Sequence, residues 1–173
     1  KSVIFHQERE WMMKKLTAFY SIFVFFLICV GSTSKAALIF FDDFDSYTAG
    51  VPWPGNANWA VSDGSVDLIG VGTSWDLLPG NGLYLDMDGS TGDAGKVTSN
   101  SIALAPGDYV LSFDIAGNQR GGRDDTVLVE VSGLLTGSVS MIPSGYPFTT
   151  FNMSFPVSTA TLATISFEGV GGD

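Results

Sequence analysis

The segment "DYVLSFDIAG", residues 108–117, decides the fold class of this chain. Every second side chain from Tyr109 to Ile115 is apolar, whereas the positions between them include Ser112 and Asp114. Successive side chains of a β-strand point to opposite faces, so a period of two is typical of a strand with one face buried. The segment therefore predicts a β-strand that lies on a hydrophobic core.

Strand-like segments recur on both sides of this stretch. They are residues 37–41, 58–63, 66–70, 83–88, 96–104, 126–132, 149–157 and 160–169. Clusters rich in Gly, Pro, Asn and Asp separate them, such as "LPGNG" and "GNQRGGRDD", and these compositions are typical of turns. No window after Ala37 sustains a helical period. The pattern predicts an all-β domain, an antiparallel β-sandwich or jelly roll.

The N-terminal region carries a targeting signal. A short basic start at residues 13–15 precedes the apolar run 16–30, and Ser34 and Ala36 are small residues suited to a cleavage point. The run is short for a membrane span, which needs roughly 20 residues. We therefore expect a signal-peptide helix over 13–36, with an uncleaved anchor as the alternative. Residues 1–12 are interpreted as read-through upstream of the true start, and residues 37–173 as one domain that lacks its last strand.

Composition excludes several classes of function for residues 37–173. The single Cys and the single His, Cys29 and His6, both precede Ala37. Nucleophilic catalysis through Ser-His-Asp or Cys-His, and the usual zinc, copper and haem sites, need those side chains. The chain has a formal charge of −10, and Lys96, Arg120 and Arg123 are the only bases after residue 36. Such a field disfavours nucleic acid and anionic lipid, so contact with a membrane is expected only through the signal peptide or a further C-terminal anchor.

Several blocks of sequence resemble bacterial secreted proteins of the PEP-CTERM class. The blocks are "WAVSDGSVDLIG", "LPGNGLYLDMDGSTGDAG", "LAPGDYVLSFDIAGNQRGG", "DTVLVEVSG" and "ATISFEGVGGD". The resemblance implies a galactose-binding-like β-sandwich of carbohydrate-binding type, a location at the cell envelope or in extracellular matrix, and a further strand and sorting tail after the "GGD" turn. Neither of these last two elements is present in the sequence.

Two clusters of acidic residues are candidate calcium ligands. Asp86, Asp88 and Asp93 lie at the end of a predicted strand and in the loop "DGSTGDAG", and the second cluster is Asp42, Asp43 and Asp45 in "FDDFDSY". Calcium takes six to eight oxygen ligands, which carboxylates and loop carbonyls supply. The spacing is not that of an EF-hand. The alternative is that these acids are solvated and make turn hydrogen bonds to the backbone.

Candidate ligand-binding residues lie in the predicted loops. Trp53, Trp75 and Tyr146 occupy loop contexts in which a ring can stack on a sugar, whereas Trp59 lies in a predicted strand and is expected in the core. Asn118 and Arg120, in the loop after residue 117, are suited to hydrogen-bonding sugar hydroxyls or a carboxylate. The alternatives are loop rings folded over the core and local ion pairs of little energy.

Three functions are compatible with these features. The first is an exported, non-catalytic domain that binds polysaccharide or another glycan at the cell surface or in extracellular matrix, with structural calcium as its only cofactor. The second is a structural or adhesive matrix protein without a specific glycan ligand. The third is an auxiliary domain or enzyme acting on glycans, for which no sequence motif marks a carboxylate pair, so we expect no enzyme activity.

Overall fold

The structure is a computed structural model that describes residues 2–8, 36–122 and 124–170. Within these ranges the chain forms β-strands, turns and no helix. The strands are β1 (Val3–Glu8), β2 (Ala37–Asp42), β3 (Trp59–Ser62), β4 (Asp67–Gly70), β5 (Leu83–Asp86), β6 (Lys96–Ser99), β7 (Ile102–Leu104), β8 (Gly107–Ile115), β9 (Asp125–Val131), β10 (Leu135–Ile142), β11 (Thr149–Val157), β12 (Thr161–Ala163) and β13 (Ile165–Val170).

The strand predicted from "DYVLSFDIAG" is β8, an inner strand of the first sheet. The order of that sheet is β11-β8-β1-β2, and all neighbouring strands are antiparallel. Burial along β8 alternates, with Tyr109, Leu111, Phe113 and Ile115 in the core. The alternation follows from the pleat, which turns every second side chain toward the same face.

The second sheet has five strands in the order β10-β9-β13-β6-β3, again with antiparallel neighbours. Two smaller pairs, β4 with β5 and β7 with β12, complete the described strands. The prediction of an all-β chain with antiparallel strands is therefore confirmed.

One hydrophobic core joins residues of the two larger sheets. Phe113 of β8 and Phe167 of β13 meet across it with ring centroids 5.2 Å apart. Phe5 of β1 is fully buried and stacks on Tyr109 and Phe155, at 5.2 and 5.4 Å. Full burial of a Phe side chain contributes roughly 1.5–3 kcal/mol relative to exposure. The Phe113–Phe167 contact joins the two sheets, whereas the Phe5 contacts hold three strands of the first sheet together on its buried face.

Strand β1 belongs to the region that the sequence analysis interpreted as read-through. In the structure it pairs with β8 along its whole length and with β2 on its other side. The predicted signal peptide, 13–36, lies outside the described residues apart from Ala36, so its helix, its cleavage and the true start remain predictions. In the part of the chain that the structure describes, no helix is long and apolar enough to cross a membrane.

Some strand boundaries differ from those predicted. The segment 96–104 is divided into β6 and β7, which belong to different sheets and are separated by Asn100 and Ser101. Strand β10 was not predicted. In its sequence, "LTGSVSMI", Leu135, Gly137 and Val139 alternate with the polar residues Thr136, Ser138 and Ser140. Because Gly137 has no side chain to pack, the apolar face is weak, and pairing with β9 stabilises the strand.

Candidate ligand-binding site

A cavity of about 170 Å³ opens where β5, β8 and β13 end and β9 begins. Its wall includes Asp86–Asp88, the segment from Asp114 to Arg120, Asp125–Val127 and the end of β13 at Val170. For scale, a cavity of roughly 150 Å³ is large enough to hold benzene. The space is therefore of the size that holds one small six-membered ring.

The floor of the cavity is apolar and partly aromatic. Phe113 and Phe167 contribute from the core, and Tyr84 meets Phe148 edge to face with centroids 5.6 Å apart. The Tyr84 hydroxyl accepts hydrogen bonds from the backbone N–H groups of Leu77 and Leu78, at 2.7 and 2.9 Å. Burial raises the pKa of Tyr84 above its ordinary value, so its side chain is a neutral phenol at physiological pH. Rings and aliphatic groups of this kind pack against the C–H face of a ligand.

The loop after β8 forms the polar rim of the cavity. The Asn118 backbone N–H donates to Asp125 at 2.6 Å, and the Arg120 N–H donates to the Asn118 side-chain oxygen at 2.8 Å. Gln119 donates from its amide nitrogen to the carbonyls of Gly117 and Tyr146. Each hydrogen bond fixes the orientation of a polar group. The donors and acceptors of these groups that the bonds do not use are then able to contact a ligand.

Gly117 sets how closely this rim approaches the neighbouring loop. A Cβ at this position would lie 2.0 Å from the carbonyl oxygen of Pro143. The Gly117 N–H also donates to the Tyr146 carbonyl at 3.0 Å. Only glycine permits this contact, which brings the loop carrying Asn118 against the loop carrying Tyr146.

An ion pair connects the rim to the end of β5. Arg120 Nη2 lies 3.2 Å from Asp86 Oδ2, and the side chains of these two residues are 38% and 17% exposed. Asp88 lies two residues after Asp86, and its backbone N–H donates to Asp86 Oδ1 at 3.4 Å. The sequence analysis assigned Arg120 to a ligand site and Asp86 and Asp88 to a calcium site, and the structure brings all three to one cavity.

A buried carboxyl group lies behind this ion pair. Asp67 is opposite Asp86 in the β4–β5 pairing and is 5% exposed. Its Oδ1 has no hydrogen-bond partner among the described residues. Burial raises the pKa of Asp67, although hydrogen bonds from Ser90 and the charge of Arg120 act in the opposite direction. The single guanidinium therefore compensates two acidic side chains.

The predicted aromatic platforms occupy different environments. Trp75 is 50% exposed, in the loop that carries Leu77 and Leu78 to the cavity, and Tyr146 is 40% exposed and accepts two hydrogen bonds from the rim through its carbonyl. Trp53 is 4% exposed and packs on Tyr47 with centroids 6.2 Å apart. In this position its faces contact protein, so we leave Trp53 out of the proposed site. Trp59 is buried at 1% exposure, as its predicted strand requires.

The first acidic cluster makes structural hydrogen bonds. Asp42 accepts the Trp59 indole N–H at 2.8 Å and also accepts from the Phe44 N–H and the Tyr47 hydroxyl. Asp43 accepts the N–H of Asp45 at 3.2 Å, and Asp45 accepts the N–H of Leu83 at 2.8 Å. These bonds are the turn-type interactions that the sequence analysis gave as the alternative to calcium.

The second cluster is separated from the first. Asp45 contacts the start of β5 whereas Asp86 ends that strand, and three residues of β-strand span roughly 10 Å. Asp93 lies exposed in the following loop. Among the residues described here, no three His, Cys, Asp or Glu side chains are grouped so as to hold one metal ion. The calcium proposal thus has candidate ligands but no assembled site.

Sequence reasoning did not single out the residues that form the floor of the cavity. Tyr84 lies in a predicted strand and Phe148 lies two residues after Tyr146, but neither carries a local signal of exposure to a ligand. Asp67 also lies in an apolar strand segment, and its burial is known only from the structure. A lone acidic residue inside a strand-like apolar run is the available sequence signal for it.

Comparison with known proteins does not extend these observations. No protein-family model matches the chain, and no curated protein matches its sequence.

Proposed function

We propose that this chain is an exported, non-catalytic β-sandwich that binds carbohydrate at the cell surface or in extracellular matrix. The observation that carries the proposal is the cavity beside the Arg120–Asp86 ion pair, with its apolar floor and its polar rim. A sugar presents a C–H face and a ring of hydroxyl groups, and a pocket with aromatic side chains below and fixed donors and acceptors above complements both.

The proposed architecture is a jelly roll of the galactose-binding-like type. Its support is that two antiparallel sheets share one apolar core, with Phe113 and Phe167 in contact between them. Sheets joined face to face in this way form sandwiches. The cavity then lies at one end of the sandwich, where loops from both sheets meet, and loops on a rigid scaffold are the usual place for recognition.

A non-catalytic role agrees with the arrangement of the carboxyl groups. An acid–base pair requires two carboxyls with divergent pKa values in one cleft. Burial alone would raise the pKa of Asp114, but a hydrogen bond from Thr150, the charge of the N-terminal amino group and hydrogen bonds from Ser2 hold it below its usual range, while burial raises the pKa of Asp67. Asp114 lines the cavity and Asp67 is not among its described lining residues. The two shifted groups therefore do not face one another across it.

We also propose that the acidic residues at the end of β5 and in the following loop bind calcium, independently of the sugar. Asp86 and Asp88 lie at the cavity and Asp93 lies in the loop beyond them. A cation held there by carboxylates and loop carbonyls would be bound through oxygen, as calcium prefers. Its role would be to fix the loop that follows β5.

The test is binding of the full chain to an array of neutral, acidic and amino oligosaccharides, in calcium and again in chelator. We expect binding that is abolished by Phe148→Ala, because this substitution removes one ring of the floor. Phe41→Ala is the matched control, since Phe41 is 49% exposed on β2 and does not line the cavity. Loss of binding in chelator would assign the acidic loop a calcium-dependent part.

Two results would contradict the proposal. One is that a folded chain, verified by far-UV circular dichroism, binds no oligosaccharide under either condition. The other is that Phe41→Ala and Phe148→Ala reduce binding equally, which would move the binding surface away from the cavity.

A structural or adhesive role is the second candidate, and the observation that favours it is the edge of the first sheet. Strand β2 is the last strand in the order β11-β8-β1-β2, and Leu38, Ile39 and Phe41 on it are 56%, 39% and 49% exposed. Apolar edge strands pair with other chains. This role predicts self-association in sedimentation that Ile39→Lys reduces and that Val71→Lys, at another exposed apolar position, does not. A monomeric wild-type chain would eliminate it.

A further inference from the structure

We infer that the sugar bound in this cavity is an amino sugar that carries a protonated amine, rather than a neutral or an acidic sugar. The inference rests on the proposed function, because it names the ligand class of that same site. Its basis is the net negative charge of the described cavity wall together with the ion pair that Arg120 makes with Asp86.

The described cavity wall carries more negative than positive charge. Four carboxylates contribute to it, those of Asp86, Asp88, Asp114 and Asp125. The opposing positive charges are the Arg120 guanidinium, which pairs with Asp86, and the N-terminal amino group, which acts on Asp114. Charges in a partly buried site interact more strongly than in bulk water, because the effective dielectric is lower. A cationic group placed in the cavity is therefore attracted, and an anionic group is repelled.

Arg120 offsets the charge of Asp86, with which it forms an ion pair, and a ligand anion can use it as a counter-ion only by breaking that pair. The guanidinium lies 3.2 Å from Asp86. Burial raises the pKa of Asp67, the carboxyl opposite Asp86 in the β4–β5 pair, and the charge of Arg120 partly offsets that rise. A ligand carboxylate would have to take Arg120 from Asp86 and leave that acid uncompensated beside Asp67. Uronic acids are consequently poor ligands for this site.

The chain as a whole adds to the local effect. Its formal charge of −10 gives an approaching polyanion an unfavourable field and a polycation a favourable one. The cavity floor then selects among cations. Tyr84, Phe113 and Phe148 give it an aromatic surface that a hydrated metal ion does not use, whereas an amino sugar brings both a positive charge and an apolar C–H face.

The experiment compares three oligosaccharides of equal length with the full chain: β-linked glucosamine, β-linked N-acetylglucosamine and a uronic acid oligomer. Binding measured at pH about 6 keeps the glucosamine amine protonated, since the pKa of amines of this kind is roughly 7.7. We expect glucosamine to bind at least about tenfold more tightly than its N-acetyl form, and the uronic acid oligomer to bind most weakly. At about 1 M salt, where screening acts over roughly 3 Å, the preference should shrink.

Paired variants locate the effect. Asp88→Asn removes one charge from the cavity wall and should reduce the preference for glucosamine severalfold. Asp108→Asn removes the same charge from an exposed position at the opposite end of β8 and should leave the preference unchanged. Equal changes from both variants would show that net charge alone is responsible and would overturn the assignment to the cavity.

The remaining outcomes separate the inference from the proposed function. Equal binding of glucosamine and N-acetylglucosamine, or a preference for the uronic acid, overturns the amino-sugar inference and leaves carbohydrate binding in place. Absence of binding to all three oligomers, together with a silent array, overturns both.

Discussion

Arg120 Nη2 lies 3.2 Å from Asp86 Oδ2, and this contact joins the loop after β8 to the end of β5. The two residues are distant in sequence and came from different predicted sites. Their meeting defines the rim of the cavity and brings the charge of Arg120 close enough to act on the buried Asp67 as well.

Loss of the Arg120 guanidinium should lower the free energy of unfolding only slightly, but it should remove the positive charge that acts on Asp86 and Asp67. We expect Arg120→Gln to lower the free energy of unfolding by about 1 kcal/mol or less, since the Arg120 side chain is more than a third exposed. In an Asp86→Asn background the same substitution should cost less, because one of the two acids has lost its charge. Urea unfolding of the four members of this double-mutant cycle measures the difference. An equal cost in both backgrounds would show that the pair is not coupled.

The carboxyl of Asp67 should make stability depend on pH in a characteristic direction. Its raised pKa means that the folded state holds the proton more tightly than the unfolded state does. The favourable contribution of protonated Asp67 is fully present below the unfolded value, near 3.8, and is lost as the pH rises through the folded value. Asp67→Asn, which is neutral throughout, should therefore stabilise the chain at pH 7, on the order of 1 kcal/mol, the scale of a buried polar group without a partner.

This gain should disappear as the pH falls toward the unfolded value. Thermal unfolding of wild type and Asp67→Asn across the acidic range measures it, with Asp93→Asn at an exposed position as the control. A variant that is destabilised at pH 7 would indicate that charged Asp67 has a favourable partner, such as a bound cation.

Phe5 tests whether β1 is an integral part of the first sheet. Its ring is fully buried between Tyr109 and Phe155, so Phe5→Ala should lower the free energy of unfolding by about 3–5 kcal/mol. Phe41→Ala makes the same chemical change at a half-exposed ring and should cost far less. Denaturant titration distinguishes the two. Similar values for both variants would mean that residues 3–8 do not contribute to the fold in solution.

Substitution of Gly117 tests whether the close contact between the loop after β8 and the loop that carries Pro143 and Tyr146 is needed to form the rim. A Cβ there would meet the Pro143 carbonyl at 2.0 Å, so Gly117→Ala should separate the two loops and weaken ligand binding as well as stability. Gly121→Ala in the same loop meets open space but has a positive φ of 82°, and should cost about 1–2 kcal/mol from backbone strain alone. Calorimetric unfolding compares them. If the Gly117 variant is the more stable of the two, the approach to Pro143 is not a constraint.

The sequence predicts those features of this structure that depend on neighbouring residues, and it predicts less well those that depend on residues distant along the chain. The alternation in β8 specifies which of its residues are buried, because strand burial is a local property of the pleat. The buried state of Trp59 follows in the same way. Strand β10 has the same alternation, but Gly137 weakens its apolar face, so the strand depends more on its pairing with β9, which local sequence does not contain.

The candidate site was predictable only in parts. Asn118 and Arg120 were identified because a polar loop follows a strong strand, and Asp86 and Asp88 because acids cluster at a strand end. That these groups share one cavity depends on the packing of β5, β8 and β13, which are far apart in sequence. For the same reason the environments of Trp53 and Trp75, both in loop-like sequence, could not be told apart before their burial was known.

The inner position of β1 also sets an order of events during synthesis. Val3 pairs with Phe113, so β1 has no partner on that side until more than a hundred further residues have been synthesised. At synthesis rates of roughly 5–20 residues per second, that delay is about 5–20 seconds. Throughout it, the apolar side chains of β1 and β2 depend on one another or on a chaperone. The nascent chain is therefore most vulnerable to aggregation before β8 appears, and a slow, late closing of the first sheet should dominate its refolding in the test tube.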